Sequence, residues 1–281
     1  MEDRNEYDGP EGEEPAVEPG LFDRMNNWFL LLYAFACYMM ASSLVGILYL
    51  NGNVVLSVIL PAIFGYMLPL VIITRRYGLS FREEFRLHLP DAATAVLVIL
   101  IAAAAIYPVD SLSWAFRRGR QVDSDYIEIL LAFKPKGVWH FAGMALGLGL
   151  AGPLGEELLF RGTVQSIFHR NMKAGAAILL SALVFAASHG VLYLIPGVTL
   201  LGVILAWVFY RTGTLTYAVI IHSIFNLFSL YRLSGLSEEA IKAYEWSPPD
   251  AGWLAAYSAA LVFLLIVFSR HTAAREGPAG E

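Results

Sequence analysis

Long apolar runs separated by short polar segments dominate the 281-residue chain. The runs are about 15 to 23 residues long, which is the length at which an α-helix crosses a bilayer. Most of them lack the polar stripe at helical period that a soluble helix needs. Segments of about ten alternating residues, typical of a β-barrel, are absent from the pattern. The pattern therefore predicts an all-α, polytopic membrane protein of about eight transmembrane helices.

Turn-forming and charged residues divide the apolar sequence into spans. We predict helices over residues 28–50, 54–74, 92–109, 138–170, 176–195, 198–210, 215–231 and 253–268. More than 30 residues of helix would be about 50 Å long, too long for one straight span. A break or kink in the fourth element is therefore expected near Gly152-Pro153. The amphipathic stretch from Ser80 to Leu89 is expected to lie along the interface, and residues 110–136 are expected to form a polar loop.

Charge divides the chain further. Residues 1–20 carry eight acidic side chains against one arginine, so we expect a disordered acidic tail. Residues 21–137 hold the first three helices and their loops, 138–232 a catalytic helical core, and 233–281 a polar loop, the last helix and a flexible C-terminus. The segments on the N-terminal side hold about 11 Lys and Arg against about 7 on the other, which predicts that both termini are cytoplasmic. The short loops and the lack of a transit peptide favour a prokaryotic inner membrane.

Composition adds two limits. The chain is 57% hydrophobic and 15% charged, with a net charge of −5. The acidic excess lies in the tail, so it gives no indication of a nucleic-acid partner. Cys37 is the only cysteine, which excludes an internal disulfide and a cysteine-rich metal site. The expected partners are membrane lipid and a protein or peptide substrate, and the oligomeric state stays open.

Candidate chemistry begins with charged residues inside the fourth span, where charge costs several kcal/mol. Glu157 and Arg161 are four residues apart, so they share a helix face and are expected to pair. Glu156 points about 100° away and has no obvious local cation, so it is expected to face a cavity. An Arg161 shared between both carboxylates is the alternative.

Two further polar elements are expected at the same depth. Glu156 and His189 lie almost symmetrically about the connector at 171–175, so an antiparallel hairpin would place them opposite each other. That level is about 16 to 20 Å into a core about 30 Å thick. His222 lies near the middle of the seventh span, with Asn226 one turn later on the same face. Convergence of three elements favours a functional site, although a lone intramembrane His or Asn commonly serves packing.

The chemistry fits peptide hydrolysis. A buried carboxylate is a stronger base, and His222 and Asn226 are suitable donors to an oxyanion. One carboxylate and two imidazoles, those of Glu156, His189 and His222, also suit catalytic zinc. We favour the metal-free version and keep zinc as the alternative. A serine nucleophile is disfavoured because the chain has no Gly-x-Ser-x-Gly elbow.

These residues carry a resemblance to a known family. Three motifs, in order and on separate spans, resemble those of the CPBP family of CAAX-processing and bacteriocin-processing intramembrane proteases, also called the abortive-infection family: Glu156-Glu157-x-x-x-Arg161, Phe185-x-x-x-His189 and His222-x-x-x-Asn226. The resemblance covers residues 138–232. It implies that Glu156 is the general base, that His189 positions the water with it, and that His222 and Asn226 stabilise the oxyanion. Glu157, Arg161 and Phe185 would support them.

The expected function is an intramembrane endopeptidase with Glu156 activating water. CAAX-type, leader-peptide and C-terminal anchor substrates all fit, including lipidated ones. A non-catalytic scaffold of the same family is one alternative. A proton-coupled transporter is another, but it needs a continuous polar path to both faces, and the sequence shows polar residues at one depth only.

Overall fold

The computed structural model describes residues 20–120, 122–243 and 249–274. Regular structure in these residues is helical, which confirms an all-α fold. In chain order the helices are α1 (Leu21–Arg24), α2 (Asn27–Leu50), α3 (Val54–Arg76), α4 (Phe81–Glu84), α5 (Ala92–Arg117), α6 (Ser124–Phe133), α7 (Val138–Asn171), α8 (Ala174–Ser188), α9 (Leu192–Thr212), α10 (Leu215–Gly235), α11 (Glu238–Ala243) and α12 (Ala251–Ala273).

Six helices in the described part of the chain are long and apolar enough to cross a membrane: α2, α3, α5, α7, α9 and α12. The shorter apolar α8 and the 21-residue α10, whose His222 and Asn226 make it more polar, complete the bundle. The polytopic architecture is thus confirmed. Large apolar side chains are exposed on the outer helices, as lipid contact requires, among them Trp28, Leu32, Phe35, Ile72, Val262 and Phe263. The predicted acidic tail and flexible C-terminus fall on residues 1–19 and 275–281, outside the described residues.

Successive long helices run in opposite directions and leave two faces. We call the end formed by residues 20–26, 77–91, 172–173 and 213–214 the N-terminal face, and the end formed by 51–53 and the described residues of 118–137 and 236–250 the opposite face. Hydrogen bonds tie the N-terminal face together. Arg170 donates to Asp23 at 2.6 Å, which lowers the pKa of Asp23, and Leu215 N donates to Arg86 O at 3.2 Å.

Two connections differ from the predicted ones. Helix α5 continues through Pro108 to Arg117, and α6 occupies part of the predicted 110–136 loop. Pro108 lies inside this helix, and Asp110, two residues later, forms an ion pair with Arg232 of α10. Polar residues here face another helix rather than solvent, so composition alone misplaced the boundary.

The predicted interfacial segment is also shorter than expected. Only α4, a single turn, is helical, and the Ser80 hydroxyl accepts the Glu83 N–H at its start. Phe85 follows it and is buried, 1% exposed, where it contacts Gly162. Phe85 therefore anchors the segment to the bundle, and only one turn of it is helical, whereas its position along the interface stays a prediction.

The fourth element is not broken near Gly152-Pro153, so that part of the prediction is wrong, whereas the kink expected as its alternative stays a prediction. Helix α7 is continuous and accommodates Gly152-Pro153 by widening into π-helical turns at Gly147–Ala151 and Leu158–Gln165. In a π-helical turn the N–H of residue 153 would bond to the carbonyl of residue 148, but proline has no N–H. The amide of Asn226 supplies the missing donor to Leu148 O at 2.9 Å.

The fifth and sixth spans also differ from the prediction. Helix α8 ends at Ser188 because Gly190 adopts a left-handed backbone, φ 69°, a common helix stop. Fifteen residues give about 22 Å of helix, less than the hydrocarbon thickness, so α8 ends within the membrane. There its last carbonyl, Ser188 O, accepts the hydroxyl of Tyr38 from the middle of α2 at 2.8 Å. Helix α9 starts at Leu192, six residues earlier than predicted, and its first turn, Leu192–Leu194, is 3₁₀.

Candidate functional site

The motif-one glutamates lie on α7 between the two π-helical turns, and Glu157 is the buried one. Arg161 Nη1 donates to Glu157 Oε1 at 3.0 Å, the pair that the i,i+4 spacing predicts, and both side chains are fully buried. The same oxygen lies 2.8 Å from His222 Nδ1. Glu157 therefore does more than pair with Arg161, since it also fixes the imidazole of His222, a residue predicted to be catalytic.

His222 stands between the two carboxylates. Because Nδ1 is bonded to the Glu157 carboxylate, which can only accept, the ring carries its proton on Nδ1. That leaves Nε2 facing outward, 3.8 Å from Glu156 Oε2. The separation is too long for a direct hydrogen bond. The side chain of Glu156 is 27% exposed, whereas Glu157 is sealed, so Glu156 is the accessible member of the pair.

Phe185 contacts residues of all three motifs and so connects the second motif, Phe185-x-x-x-His189, to this cluster. Its buried ring lies edge-on to the rings of His189 and His222, with centroids 4.8 and 5.6 Å apart. The Arg161 guanidinium carbon lies 4.2 Å from the centre of the same ring. A cation over an aromatic face is attracted by the ring quadrupole, so Phe185 holds Arg161 and both histidines around one side chain.

His189 occupies a different setting from the one predicted. It caps the C-terminal end of α8 rather than lying inside a span, and its Nδ1 is 2.9 Å from Phe185 O. His189 is exposed, so its other ring nitrogen, Nε2, is available to contact water or a substrate. That His189 faces Glu156 stays a prediction. The signal that places it at a helix end is the following Gly190.

Asn226 lies one turn from His222 but its amide is partly committed. One N–H bonds to Leu148 O in the π-helical turn of α7, the packing role that an Asn in a span often takes. An amide nitrogen carries two hydrogens, so one N–H of Asn226 remains for a substrate.

A ladder of polar side chains continues along α7 from the cluster and was not foreseen. Glu157, Arg161, Gln165 and His169 recur every four residues, and Gln165 Nε2 lies 3.0 Å from His169 Nε2. The ladder faces α9, where Arg161 Nη2 donates to Gly202 O at 3.3 Å and Gln165 Nε2 to Ala206 O at 2.9 Å. The i,i+4 repetition was the signal in the sequence.

The cluster around Glu156 and His222 coincides neither with a metal-binding arrangement of side chains nor with the cavity described below. Within the described residues, no group of three His, Cys, Asp or Glu side chains is arranged to hold a metal ion, so Glu156, His189 and His222 do not form a zinc site as placed. A cavity of about 870 Å³ lies at the N-terminal face, lined among others by Glu84, Gly162 and His169. It touches neither Glu156 nor His222, so chemistry rather than size locates the candidate site.

Fold and site define a class: a multi-spanning, all-helical integral membrane protein with two carboxylates around a buried imidazole. Residues 138–228 match the family model described as type II CAAX prenyl endopeptidase Rce1-like. The match confirms the resemblance that the three motifs carry over this segment of the chain. The match contains every residue from Glu156 to Asn226. No curated protein and no solved structure matches the chain.

Proposed function

We propose that the protein is an intramembrane endopeptidase in which Glu156 activates the attacking water. One observation carries the proposal: His222 bridges the two glutamates, with Nδ1 2.8 Å from buried Glu157 and Nε2 3.8 Å from accessible Glu156. The match to the Rce1-like family supports a protease over other uses of buried charge.

The reaction follows from the roles of these groups. Glu156 takes a proton from water as the water oxygen attacks the scissile carbonyl carbon. The carbonyl oxygen becomes an oxyanion, which the second N–H of Asn226 stabilises. Nε2 of His222 donates a second hydrogen bond to it when the ring carries a proton on both nitrogens, that is, as the imidazolium. Glu156 then returns the proton to the amide nitrogen, the C–N bond breaks, and an acid and an amine leave.

Glu157 and His189 complete this assignment. Glu157 holds His222 in one tautomer and orientation, as the carboxylate of a catalytic triad holds its histidine. Arg161 balances the charge of Glu157 without reaching the reacting atoms. His189, exposed at the end of α8, shares the water with Glu156.

The substrate class we propose is a prenylated protein with a C-terminal CAAX sequence. Cleavage would be measured with the full chain in proteoliposomes, using an internally quenched farnesylated CAAX peptide, with product masses fixing the cleaved bond. We expect cleavage after the prenylated cysteine and much slower cleavage of the same peptide without its farnesyl group. Wild-type protein that cleaves neither peptide would contradict the proposed function and favour a scaffold.

The same cleavage assay also tests the alternative in which the site holds zinc. Residues Glu156, His189 and His222 would hold the ion, and zinc would supply a water of lowered pKa. As they are placed, they do not form such a group. We therefore expect 1,10-phenanthroline to leave the cleavage rate unchanged, whereas loss of cleavage that added Zn²⁺ restores would support the metal version.

The polar ladder bears on the transporter alternative. It extends polar side chains from the site toward the N-terminal face, so polar residues are not confined to one depth as the sequence suggested. However, Arg161 and Gln165 are fully buried and bond to backbone carbonyls of α9. The ladder therefore joins α7 to α9, as polar side chains do between membrane helices, which favours a structural role over a transport path.

A further inference from the structure

We propose that the cavity at the N-terminal face binds the headgroup of an amino-phospholipid, with the phosphate on Arg86 and the ammonium on neighbouring carboxylates. This site lies apart from Glu156 and His222, and it does not rest on the proposed function. His169 lines the cavity and follows Glu156 by thirteen residues, about 20 Å along α7. The volume of about 870 Å³ is within the range of sites for small ligands.

The cavity lies at the depth of lipid headgroups. It is lined by His169 near the end of α7 and by Phe209 and Tyr210 near the end of α9, and both helices are long and apolar enough to cross a membrane. Tyr210 is 49% exposed, and tyrosine is typical of the boundary between hydrocarbon and headgroups. Part of the wall is apolar, because Phe85 packs on Gly162, where a Cβ would lie 2.7 Å from the Phe85 ring. An amphiphile therefore matches this position.

Arg86, which lines the cavity, is held in a conformation that favours glycine. Its φ is 50°, and it is the only residue other than glycine with a positive φ in the part of the chain that the structure describes. Its carbonyl accepts the Thr214 hydroxyl at 2.5 Å and the Leu215 N–H at 3.2 Å, and its own N–H donates to Glu83 O at 3.0 Å. Glycine would form the same backbone bonds without strain. Arginine at a strained position therefore points to a function of the side chain.

The guanidinium of Arg86 is available to an anion. It makes no hydrogen bond or ion pair with another described residue, whereas Arg170, the second arginine of the cavity, is paired with Asp23. A guanidinium binds phosphate through two parallel hydrogen bonds. Arg86 therefore supplies a phosphate site at the headgroup level.

His169 adds a neutral donor to the same cavity. Gln165 Nε2 donates to Ala206 O and is also the donor to His169 Nε2, so the ring of His169 carries its proton on Nδ1. The ring stacks on Tyr210 with centroids 5.1 Å apart, which fixes its orientation. The Nδ1–H bonds to no described residue, so it remains for the ligand.

Carboxylates in the lining favour a zwitterionic ligand. Glu83 and Glu84 line the cavity, as does the ion pair of Asp23 with Arg170. Three carboxylates face two guanidiniums, so an anionic lipid would add to the excess of negative charge, whereas a zwitterion adds none. A primary ammonium donates hydrogen bonds to carboxylates, but the trimethylammonium of phosphatidylcholine has no N–H. Phosphatidylethanolamine therefore fits better than phosphatidylglycerol or phosphatidylcholine.

Native mass spectrometry of the full chain in detergent tests the site with added phosphatidylethanolamine. Arg86→Gly should weaken binding about 10- to 100-fold through loss of charge-assisted hydrogen bonds, without lowering the thermal unfolding midpoint, because glycine adopts positive φ without strain. Arg86→Asn, which also tolerates this conformation, should weaken binding equally. Arg76→Gln removes one charge from an exposed arginine on the same face and outside the cavity, so it should leave the Kd within about twofold. Equal affinity of wild type and Arg86→Gly would overturn the proposal.

Two comparisons test the identity of the ligand. Wild type should bind phosphatidylethanolamine at least about 10-fold more tightly than phosphatidylcholine with the same acyl chains, and the double variant Glu83→Gln, Glu84→Gln should lose most of that preference. Soluble O-phosphoethanolamine has the same charged groups without the acyl chains, so it should displace the lipid only at concentrations about 100-fold higher or more. Equal affinity for the two lipids would overturn the role of the carboxylates. Displacement by O-phosphoethanolamine at the concentration of the lipid would overturn a lipid in favour of a soluble ligand.

Discussion

Glu157 shows how one buried carboxylate can serve two neighbours. Its Oε1 accepts from Arg161 and from His222, and both bonds lie in the core of the bundle. Charge-assisted bonds of this kind are about twice as strong as neutral ones. At the residue scale the site is therefore a positioned imidazole, with Glu157 behind it and Glu156 in front.

Glu157→Gln tests that positioning role. The amide keeps the shape but loses the charge, and its NH₂ would confront the N–H donors of Arg161 and His222. We expect kcat on the farnesylated peptide to fall roughly 10- to 100-fold, the usual cost of removing a group that orients a histidine, with KM within about threefold. An unchanged kcat would show that His222 needs no carboxylate behind it.

Arg161→Met tests the buried ion pair. Removing one partner leaves Glu157 uncompensated in the core, which costs about 3–5 kcal/mol. The matched control is Lys242→Met, which breaks the i,i+4 pair of Lys242 with Glu238, where both side chains are more than half exposed and such pairs are worth about 0–1 kcal/mol. Thermal unfolding in detergent should show a large loss for Arg161→Met and almost none for Lys242→Met. Equal losses would contradict a buried pair.

At the scale of the helices, the sequence predicted some features correctly and missed others. Apolar runs fixed the number and order of the helices, because burial in lipid demands length and hydrophobicity. The end of α8 was missed because Gly190 acts through a backbone angle and not through polarity. The first π-helical turn of α7 was missed because the residue that bonds to its free Leu148 carbonyl is Asn226, 73 residues beyond Pro153. Spacing within α7 gave the Glu157–Arg161 pair, but the bond from Glu157 to His222 needed the fold.

Gly65→Ala tests the contact between α2 and α3, the helix that packs against α7 at Gly155. A Cβ there would lie 2.5 Å from Ala41 Cβ and 2.6 Å from Ala41 Cα, so backbone must move. We expect a loss of about 1–3 kcal/mol in unfolding free energy. Gly46→Ala on α2 is the control, since nothing lies within 4 Å of its Cβ position, and it should cost nothing. A neutral Gly65→Ala would mean that the helices are not in contact.

Whole-molecule orientation follows from the two faces. The N-terminal face carries the larger share of Lys and Arg, so we expect it to be cytoplasmic. Cys37 is buried, and after Cys37→Ser a single cysteine can report each face. A membrane-impermeant maleimide on intact cells should label Asn51→Cys and leave Arg82→Cys unlabelled until the cells are opened. The reverse pattern would invert the orientation.

Catalysis by Glu156 is the central claim, and Glu156→Gln measures it most directly. Gln keeps the shape and the partial exposure of the side chain but cannot take a proton from water. In proteoliposomes with the farnesylated CAAX peptide, we predict that kcat falls by about 100-fold or more, the contribution of a general base, while the thermal unfolding midpoint stays that of wild type. Cleavage by Glu156→Gln at the wild-type rate would contradict the account.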